Sequence, residues 1–395
     1  MLSTASEQGI GDRRPAGDTT ARADAVLRLS LTAFRCYAHA RLEPGPAPIV
    51  LTGPNGAGKT ALLEAVSLLA PGKGLRRAGI AELARRAPDA GDDKWSVAAL
   101  VDGPQGRMML GTGQDPDGGE RRVVRIDGRP AKGQKALGEH LAVVWATPEQ
   151  DRLFVDGPSG RRRFLDRLVY GFAPEHAGEI SAYEHCLRER ARLLAEGRSD
   201  DRWLAALEDG MARHGVAIAA TRASIVRSLD ASIAETSGPF PAARLRLEGE
   251  LDRWLAEMPA LAAEDRLRGA LAAARAHDAG HGGASHGPHR ADLAVTFAQK
   301  GIPAAQGSTG EQKALVLSIV LAQARTLAAE RGRPPVLLLD EVVAHLDGAR
   351  RVAFAGEILA LGAQAWLTGT DEEFFQALRG PAAFFRVLDS TVTPR

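Results

Sequence analysis

The residues that most constrain this chain are Gly53-Pro54-Asn55-Gly56-Ala57-Gly58-Lys59-Thr60. They follow a short apolar run, Ile49-Val50-Leu51, and lead into Ala61-Leu62-Leu63-Glu64-Ala65-Val66, which has helical spacing. Strand, glycine-rich turn and helix are the setting of a phosphate-binding P-loop. Glycines let the backbone curl until several N–H groups converge on one anion, and the dipole of the following helix points at the same spot. In such a loop Gly53, Pro54, Asn55, Gly56, Ala57 and Gly58 form the cradle. Lys59 reaches the β- and γ-phosphates, and the Thr60 hydroxyl ligates Mg²⁺. Nucleotide binding is the anchor, with ATP and Mg²⁺ as the expected cofactors.

Length and composition bound what the nucleotide can drive. At 395 residues the chain has room for two domains. A formal net charge of +1 carries no global signature of nucleic-acid binding, so any such contact must be a local patch. Cys36 and Cys186 stand far apart, which excludes a Cys-x-x-Cys zinc site and fits a reducing compartment. No apolar run reaches the roughly 18 residues of a membrane span. Residues 1–24 are polar, lack the apolar core of a signal peptide, and read as a disordered extension.

Along the chain, Val26 to Leu31 alternates as a half-buried strand, and β signals return at Trp95 to Val101, Arg107 to Leu110 and Arg121 to Ile126. These predict a small antiparallel sheet beside the nucleotide-binding core. Leu141 to Thr147 is another apolar strand. From about Pro174 the pattern turns helical: Ile180, Tyr183, Leu187 and Leu194 form one stripe, and Leu204 to Ile233 a longer one, expected to break near Gly210 and Gly215. Arg244 to Leu251 has strand character, Pro259 to His277 is helical, and Gly280 to Gly287 reads as a hinge. The expected organisation is a head formed by 25–169 and 285–395, with 170–284 inserted as a helical arm domain; packing of these helices onto the head as one domain is the alternative.

Pro335-Val336-Leu337-Leu338-Leu339-Asp340-Glu341 is a hydrophobic strand ending in two carboxylates, a Walker B pattern. Asp340 is expected to hold Mg²⁺ and Glu341 to orient or deprotonate the attacking water. Between P-loop and Walker B lies Ser308-x-Gly310-x-Gln312 at the start of a helix, which resembles the signature motif of ABC-type ATPases, and Leu346-Asp347 resembles their D-loop. A hydroxyl and free amides at a helix start make a second phosphate-binding edge. The long interval from Lys59 to Asp340 disfavours a transporter ATPase subunit. The absence of a long heptad run and of Cys-x-x-Cys disfavours full-length SMC and zinc-hook proteins.

In order along the chain, Phe34-Arg35-Cys36-Tyr37, Gly53 to Thr60, Gly157-Pro158-Ser159-Gly160-Arg161-Arg162-Arg163-Phe164-Leu165-Asp166, Gly287-Pro288-His289-Arg290-Ala291-Asp292-Leu293, Ser308 to Lys313, Leu338 to Asp347 and Leu367 to Asp371 resemble the RecF family of bacterial replication and repair ATPases. The implied fold class is α/β: an ABC-type, SMC-like P-loop ATPase head with an antiparallel β subdomain and a short inserted helical arm. The resemblance implies an ATPase of the cytoplasm that binds DNA when ATP-bound, forms a homodimer around two nucleotides, and acts at single-strand gaps and double-strand/single-strand junctions. It also implies work with RecO and RecR to help RecA replace single-strand-binding protein, with no membrane partner. Carried over by position, Gln150 is the Q-loop residue, Ser308, Gly310 and Asp347 contact nucleotide across the dimer, and Thr370 stands at the switch position, where no histidine occurs. Glu311 departs from the family signature and puts negative charge beside the phosphate edge.

Other readings stay open: an ATPase energising a membrane partner, and an ATP-gated clamp without hydrolysis. Arg161-Arg162-Arg163 reads as a solvated helix start, as partners of Walker-side carboxylates, or as phosphate contacts. His281, His286 and His289 fit a solvated hinge better than a metal site, and Cys36 is expected to be buried as a small apolar residue.

Overall fold

A computed structural model of the chain describes residues 23–86, 94–115, 121–197, 201–235 and 240–395. Residues 1–22, most of the extension expected to be disordered, lie outside these. Asp24 departs from that expectation. It is fully buried, accepts the Ala142 amide at 2.9 Å and pairs with Arg333 at 3.1 Å.

The described chain opens with β1 (Ala25–Phe34), turns back into β2 (Tyr37–Leu42), and enters β3 (Ile49–Thr52), which runs through the P-loop into α1 (Lys59–Ser67). Next come β4 (Ser96–Gly103), β5 (Gly106–Gln114), β6 (Arg122–Ile126), β7 (Arg129–Pro130) and β8 (Val143–Ala146). Helices α2 (Pro158–Tyr170), α3 (His176–Ala195) and α4 (Asp201–Glu235) follow. After β9 (Ala243–Glu248) stand α5 (Glu250–Glu257), α6 (Ala260–Ala273) and α7 (Arg275–His281). β10 (Asp292–Phe297) and β11 (Ile302–Pro303) precede α8 (Thr309–Arg331). β12 (Val336–Leu339), α9 (Gly348–Leu361), β13 (Ala365–Gly369), β14 (Ala383–Leu388) and β15 (Thr391–Pro394) complete the order.

The core sheet has the order β15-β14-β3-β13-β12-β8, parallel except for β15. Strands β3, β8, β12 and β13 are buried along their whole length because both of their faces are covered. In β12, Val336 and Leu338 pack on the side of α1, while Leu337 and Leu339 pack on the side of α8 and α9. Ile49 and Leu51 against Val50 divide β3 in the same way. The side bearing α1 is closed by a second, antiparallel sheet, β2-β1-β4-β5-β6-β7, whose Leu29, Leu31, Val97, Ala99, Val101 and Leu110 face inward. β13 lies between β3 and β12, so the P-loop strand and the Walker B strand are not neighbours.

The long helix α4 joins two packing environments. Ile225, Val226, Leu229 and Ile233 belong to the same core as α8, whereas Met211, Val216, Ile218 and Ala219 pack with α3, α5 and α6. The expected break at Gly210 and Gly215 does not occur. A Cβ at Gly210 would stand 2.8 Å from the Cys186 sulfur, and one at Gly215 would meet Pro288, Leu267 and Tyr183 at 3.2–3.4 Å. These glycines are positions of close approach. Within the interval 170–284 the chain also forms β9, which pairs antiparallel with β10. Within the Gly280–Gly287 run, residues 280–283 are exposed and the stretch from Ala284 is anchored. Ser285 donates from both N and Oγ to Asp278, at 3.0 and 2.5 Å, and Ala284 is buried.

Candidate nucleotide site

The P-loop conformation follows from its glycines. Gly53, Gly56 and Gly58 have φ of 153°, 80° and 112°. A Cβ at Gly53 would stand 2.0 Å from the Val387 carbonyl oxygen, and one at Gly58 2.6 Å from the Tyr37 hydroxyl, so neither position admits a side chain. Lys59 is only 4% exposed, and its Nζ donates to the carbonyls of Gly53 and Pro54 at 2.7 and 2.9 Å. Burial pushes its ammonium below the ordinary lysine range, and the carboxylates of Glu341 and Asp340 pull it back up.

Phe34-Arg35-Cys36-Tyr37 makes the turn from β1 to β2 and braces this loop. Phe34 packs edge-on against Trp95, Arg35 grips the buried Glu64 of α1 at 2.6 Å, and the Tyr37 hydroxyl donates to the Gly58 carbonyl at 3.2 Å. Cys36 is exposed, contrary to expectation. It occupies the tip of the hairpin turn at the mouth of the cleft, where its flanking residues take up the inward positions.

The carboxylates enter from the far side of β13. Thr60 Oγ1 donates to Asp340 Oδ1 at 3.0 Å, across 280 positions of chain. Thr368 Oγ1 donates to the same oxygen at 2.7 Å and accepts the Glu341 amide at 2.9 Å. Glu341 has φ of 54°, a left-handed conformation that orients it away from the strand axis. The resulting cleft of about 680 Å³ is lined by the P-loop, Lys59, Thr60, Asp340 and Glu341, with Arg35, Arg76, Arg86 and Glu149 around them. Thr368 is not singled out in the sequence beyond its place in the Leu367–Asp371 stretch; its chemical signal is a hydroxyl within an otherwise apolar strand.

The remaining candidates lie elsewhere. Gln150 is buried between the Thr147 amide and the Arg167 guanidinium, and its neighbours Thr147, Pro148 and Glu149 line the cleft in its place. Thr370 is exposed beyond the end of β13. Ser308 caps α8: its Oγ accepts the Glu311 amide at 3.4 Å, while Glu311 returns a carboxylate to the Ser308 amide at 2.9 Å and pairs with Lys300 at 2.6 Å. Glu311 thus completes a reciprocal helix cap. Asp347 caps α9 by accepting the Arg350 amide at 2.8 Å. None of Gln150, Ser308, Gly310, Asp347 and Thr370 lines the P-loop cleft.

Arg161 and Arg162 make contacts within the fold, while Arg163 is exposed. Arg161 makes a two-pronged pair with Asp292 at 2.7 and 2.8 Å, Arg162 donates to the Ala291 carbonyl at 2.8 Å, and Asp166 receives both Arg222 and His176. The carboxylate partner of Arg161 is therefore Asp292 of the Gly-Pro-His-Arg-Ala-Asp block and not a Walker carboxylate. His289 sits between the Tyr183 hydroxyl and the Ala284 carbonyl, and His286 pairs with Glu250.

A family model described as the RecF/RecN/SMC N-terminal domain matches residues 25–391. The DNA replication and repair protein RecF of Mesorhizobium japonicum is 47% identical over 372 residues, covering 93% of this chain and 97% of the relative. RecF of Caulobacter sp. is 48% identical over 384 residues, covering 93% and 98%. Among solved structures, the recombination mediator protein RecF with ATP, from the RecFOR pathway, superposes with a TM-score of 0.79 at 23% identity, over 94% of this chain and 99% of that one. The Smc head domain of Pyrococcus furiosus superposes with a TM-score of 0.53 at 15% identity, over 94% and 96%.

Proposed function

This chain belongs to the RecF family, with an ABC-type, SMC-like ATPase head, and from that premise we propose that it is an ATPase of DNA replication and repair that binds DNA in its ATP-bound form. The observation that carries the reading is the hydrogen bond between Thr60 and Asp340 at the floor of a glycine-built anion cradle, with Lys59 and Glu341 in the same cleft. A hydroxyl and a carboxylate oxygen form an all-oxygen donor set suited to Mg²⁺, which would offset charge on the β- and γ-phosphates. Lys59 and the P-loop amides grip the triphosphate. Glu341 orients the water that attacks the γ-phosphorus and accepts its proton.

The cleft presents one side of a triphosphate. Ser308 and Gly310 stand at the exposed start of α8, outside that lining, which supports their use against the nucleotide of a second copy. In this reading Asp347 joins the same seam, while Gln150 and Thr370 act from the cleft's margin. The helices of 170–284 serve as the arm of a head formed by 25–169 and 285–395. The preferred DNA is a gap or a double-strand/single-strand junction in the cytoplasm, and the protein acts there with RecO and RecR on behalf of RecA. Among the described residues no helix is long and apolar enough to cross a membrane.

The test is retention of gapped, single-stranded and double-stranded DNA in gel shifts with ATP, ADP or no nucleotide, over a salt series. ATP-dependent retention that favours gaps and weakens steeply with salt is expected, the slope counting phosphates engaged. Retention indifferent to nucleotide would sink the reading. DNA and ATP binding without phosphate release would make the chain a clamp.

A further inference from the structure

We propose that Thr368 is a positioning residue for the ATPase reaction, setting the two Walker B carboxylates at once. The inference rests on the nucleotide site proposed above and adds a residue outside the lining of the cleft. Thr368 is fully buried near the end of β13, the strand between β3 and β12. That insertion keeps Asp340 from being braced directly by the P-loop strand. The Thr368 hydroxyl spans the gap in two directions. Its proton goes to Asp340 Oδ1 at 2.7 Å, and its lone pair receives the Glu341 N–H at 2.9 Å.

The consequences differ for the two acids. Asp340 Oδ1 already accepts Thr60 Oγ1 at 3.0 Å, so two hydroxyls hold this oxygen and thereby fix the plane of the carboxylate. Its Oδ2 is left without a hydrogen bond among those of the described residues. Glu341 has a positive φ of 54°, a conformation that costs a side-chain-bearing residue free energy unless something holds it. The Thr368 oxygen is the acceptor that holds its amide. Backbone bonds fix the neighbouring strand ends, Asp340 N to the Ala146 carbonyl at 2.9 Å and Gly53 N to the Gly369 carbonyl at 3.3 Å. Thr368 is the side-chain link between them. Serine preserves both bonds; valine keeps the shape and loses both.

The full-length chain, Thr368→Val and Thr368→Ser are compared in three measurements: ATP turnover, affinity for a fluorescent ATP analogue, and the electron paramagnetic resonance spectrum of Mn²⁺ added with ATP. For Thr368→Val, kcat should fall about 10- to 100-fold, the scale of a small misplacement of a reacting group. Nucleotide affinity should stay close to the parent, and the Mn²⁺ spectrum should change. Thr368→Ser should restore turnover and spectrum. Parent-like turnover and spectrum in Thr368→Val overturn the proposal, as does Thr368→Ser failing alongside it, since packing of the methyl would then be what matters. If Thr368→Val melts below the assay temperature, Thr368→Ala against Thr368→Ser makes the same comparison. A parent that binds Mn²⁺ and ATP without turnover refutes the hydrolysis reading, and the spectra still decide Thr368. A parent that binds no nucleotide overturns both.

Discussion

In the proposed reaction Lys59 serves binding and Glu341 serves chemistry. Lys59 is held by two P-loop carbonyls, so its charge is aimed at the cleft before any anion arrives. Lys59→Ala should weaken ATP binding by about 1.5–3 kcal/mol, the range for hydrogen bonds to charged groups, or roughly 10- to 150-fold in Kd. Fluorescence titration with an ATP analogue checks this; unaltered affinity would remove Lys59 from the site. Glu341 lines the same cleft but hangs from a left-handed backbone next to the metal-side Asp340. Glu341→Gln keeps size and loses the base. It should bind ATP normally while kcat drops roughly 10²- to 10⁴-fold. Unchanged phosphate release in a steady-state assay would contradict that role.

At the scale of elements, helices α3, α4, α6 and α7 are joined by a buried charge cluster. Arg190 of α3 reaches Glu208 of α4 at 3.0 Å, Asp278 of α7 at 2.8 Å and the Leu271 carbonyl of α6 at 2.7 Å. Arg190, Glu208 and Asp278 side chains are each 1% exposed. Arg275 adds a second cation to Glu208 at 2.6 Å, but Asp278 has no other arginine among its ion pairs in the described residues. Removing one partner of such a cluster leaves an uncompensated buried charge. Arg190→Ala should therefore cost about 3–5 kcal/mol of stability. Chemical denaturation gives the measure, with ATP-analogue affinity of the folded fraction unchanged because the cluster lies outside the cleft. A loss below about 1 kcal/mol would mean that water reaches Asp278 and replaces the guanidinium.

For the whole molecule, the separation of the P-loop cleft from the start of α8 makes a prediction about assembly. In the proposed reading a γ-phosphate bound in the cleft meets Lys59 on one side, and the start of α8, where Ser308 and Glu311 cap each other, would face the other. Two copies arranged head to tail would close both sites, and ADP would release them. Ser308→Arg should leave ATP binding by the single chain intact and abolish ATP-driven dimerisation in light scattering, most visibly in a Glu341→Gln background. Mixing Ser308→Arg with Lys59→Ala should recover at most one composite site and partial turnover. Dimerisation of Ser308→Arg equal to that of the parent would rule out the arrangement.

The sequence by itself determined what depends on residues adjacent in the chain. Glycine spacing before Lys59-Thr60, an apolar strand ending in Asp340-Glu341, and Ser308 at a helix start are local patterns, and each appears in the fold as a turn, a strand end or a cap. Inward alternation from Leu29 to Leu31 was legible for the same reason, since one face of a strand is set by its own period. Tertiary structure alone decided what depends on which elements meet. Cys36 is exposed because the turn between β1 and β2 leaves it at the cleft mouth. Gly210 and Gly215 sit inside an unbroken helix because Cys186, Tyr183, Leu267 and Pro288 crowd against them. Arg161 found Asp292, 131 positions away, where the sequence left open a solvated helix start, a Walker-side carboxylate or a phosphate. Thr368 went unread because a hydroxyl in an apolar strand acquires its partners only when β13 is laid between the P-loop strand and the Walker B strand. That sheet order is a long-range choice, fixed by how apolar faces bury one another and absent from any local spacing.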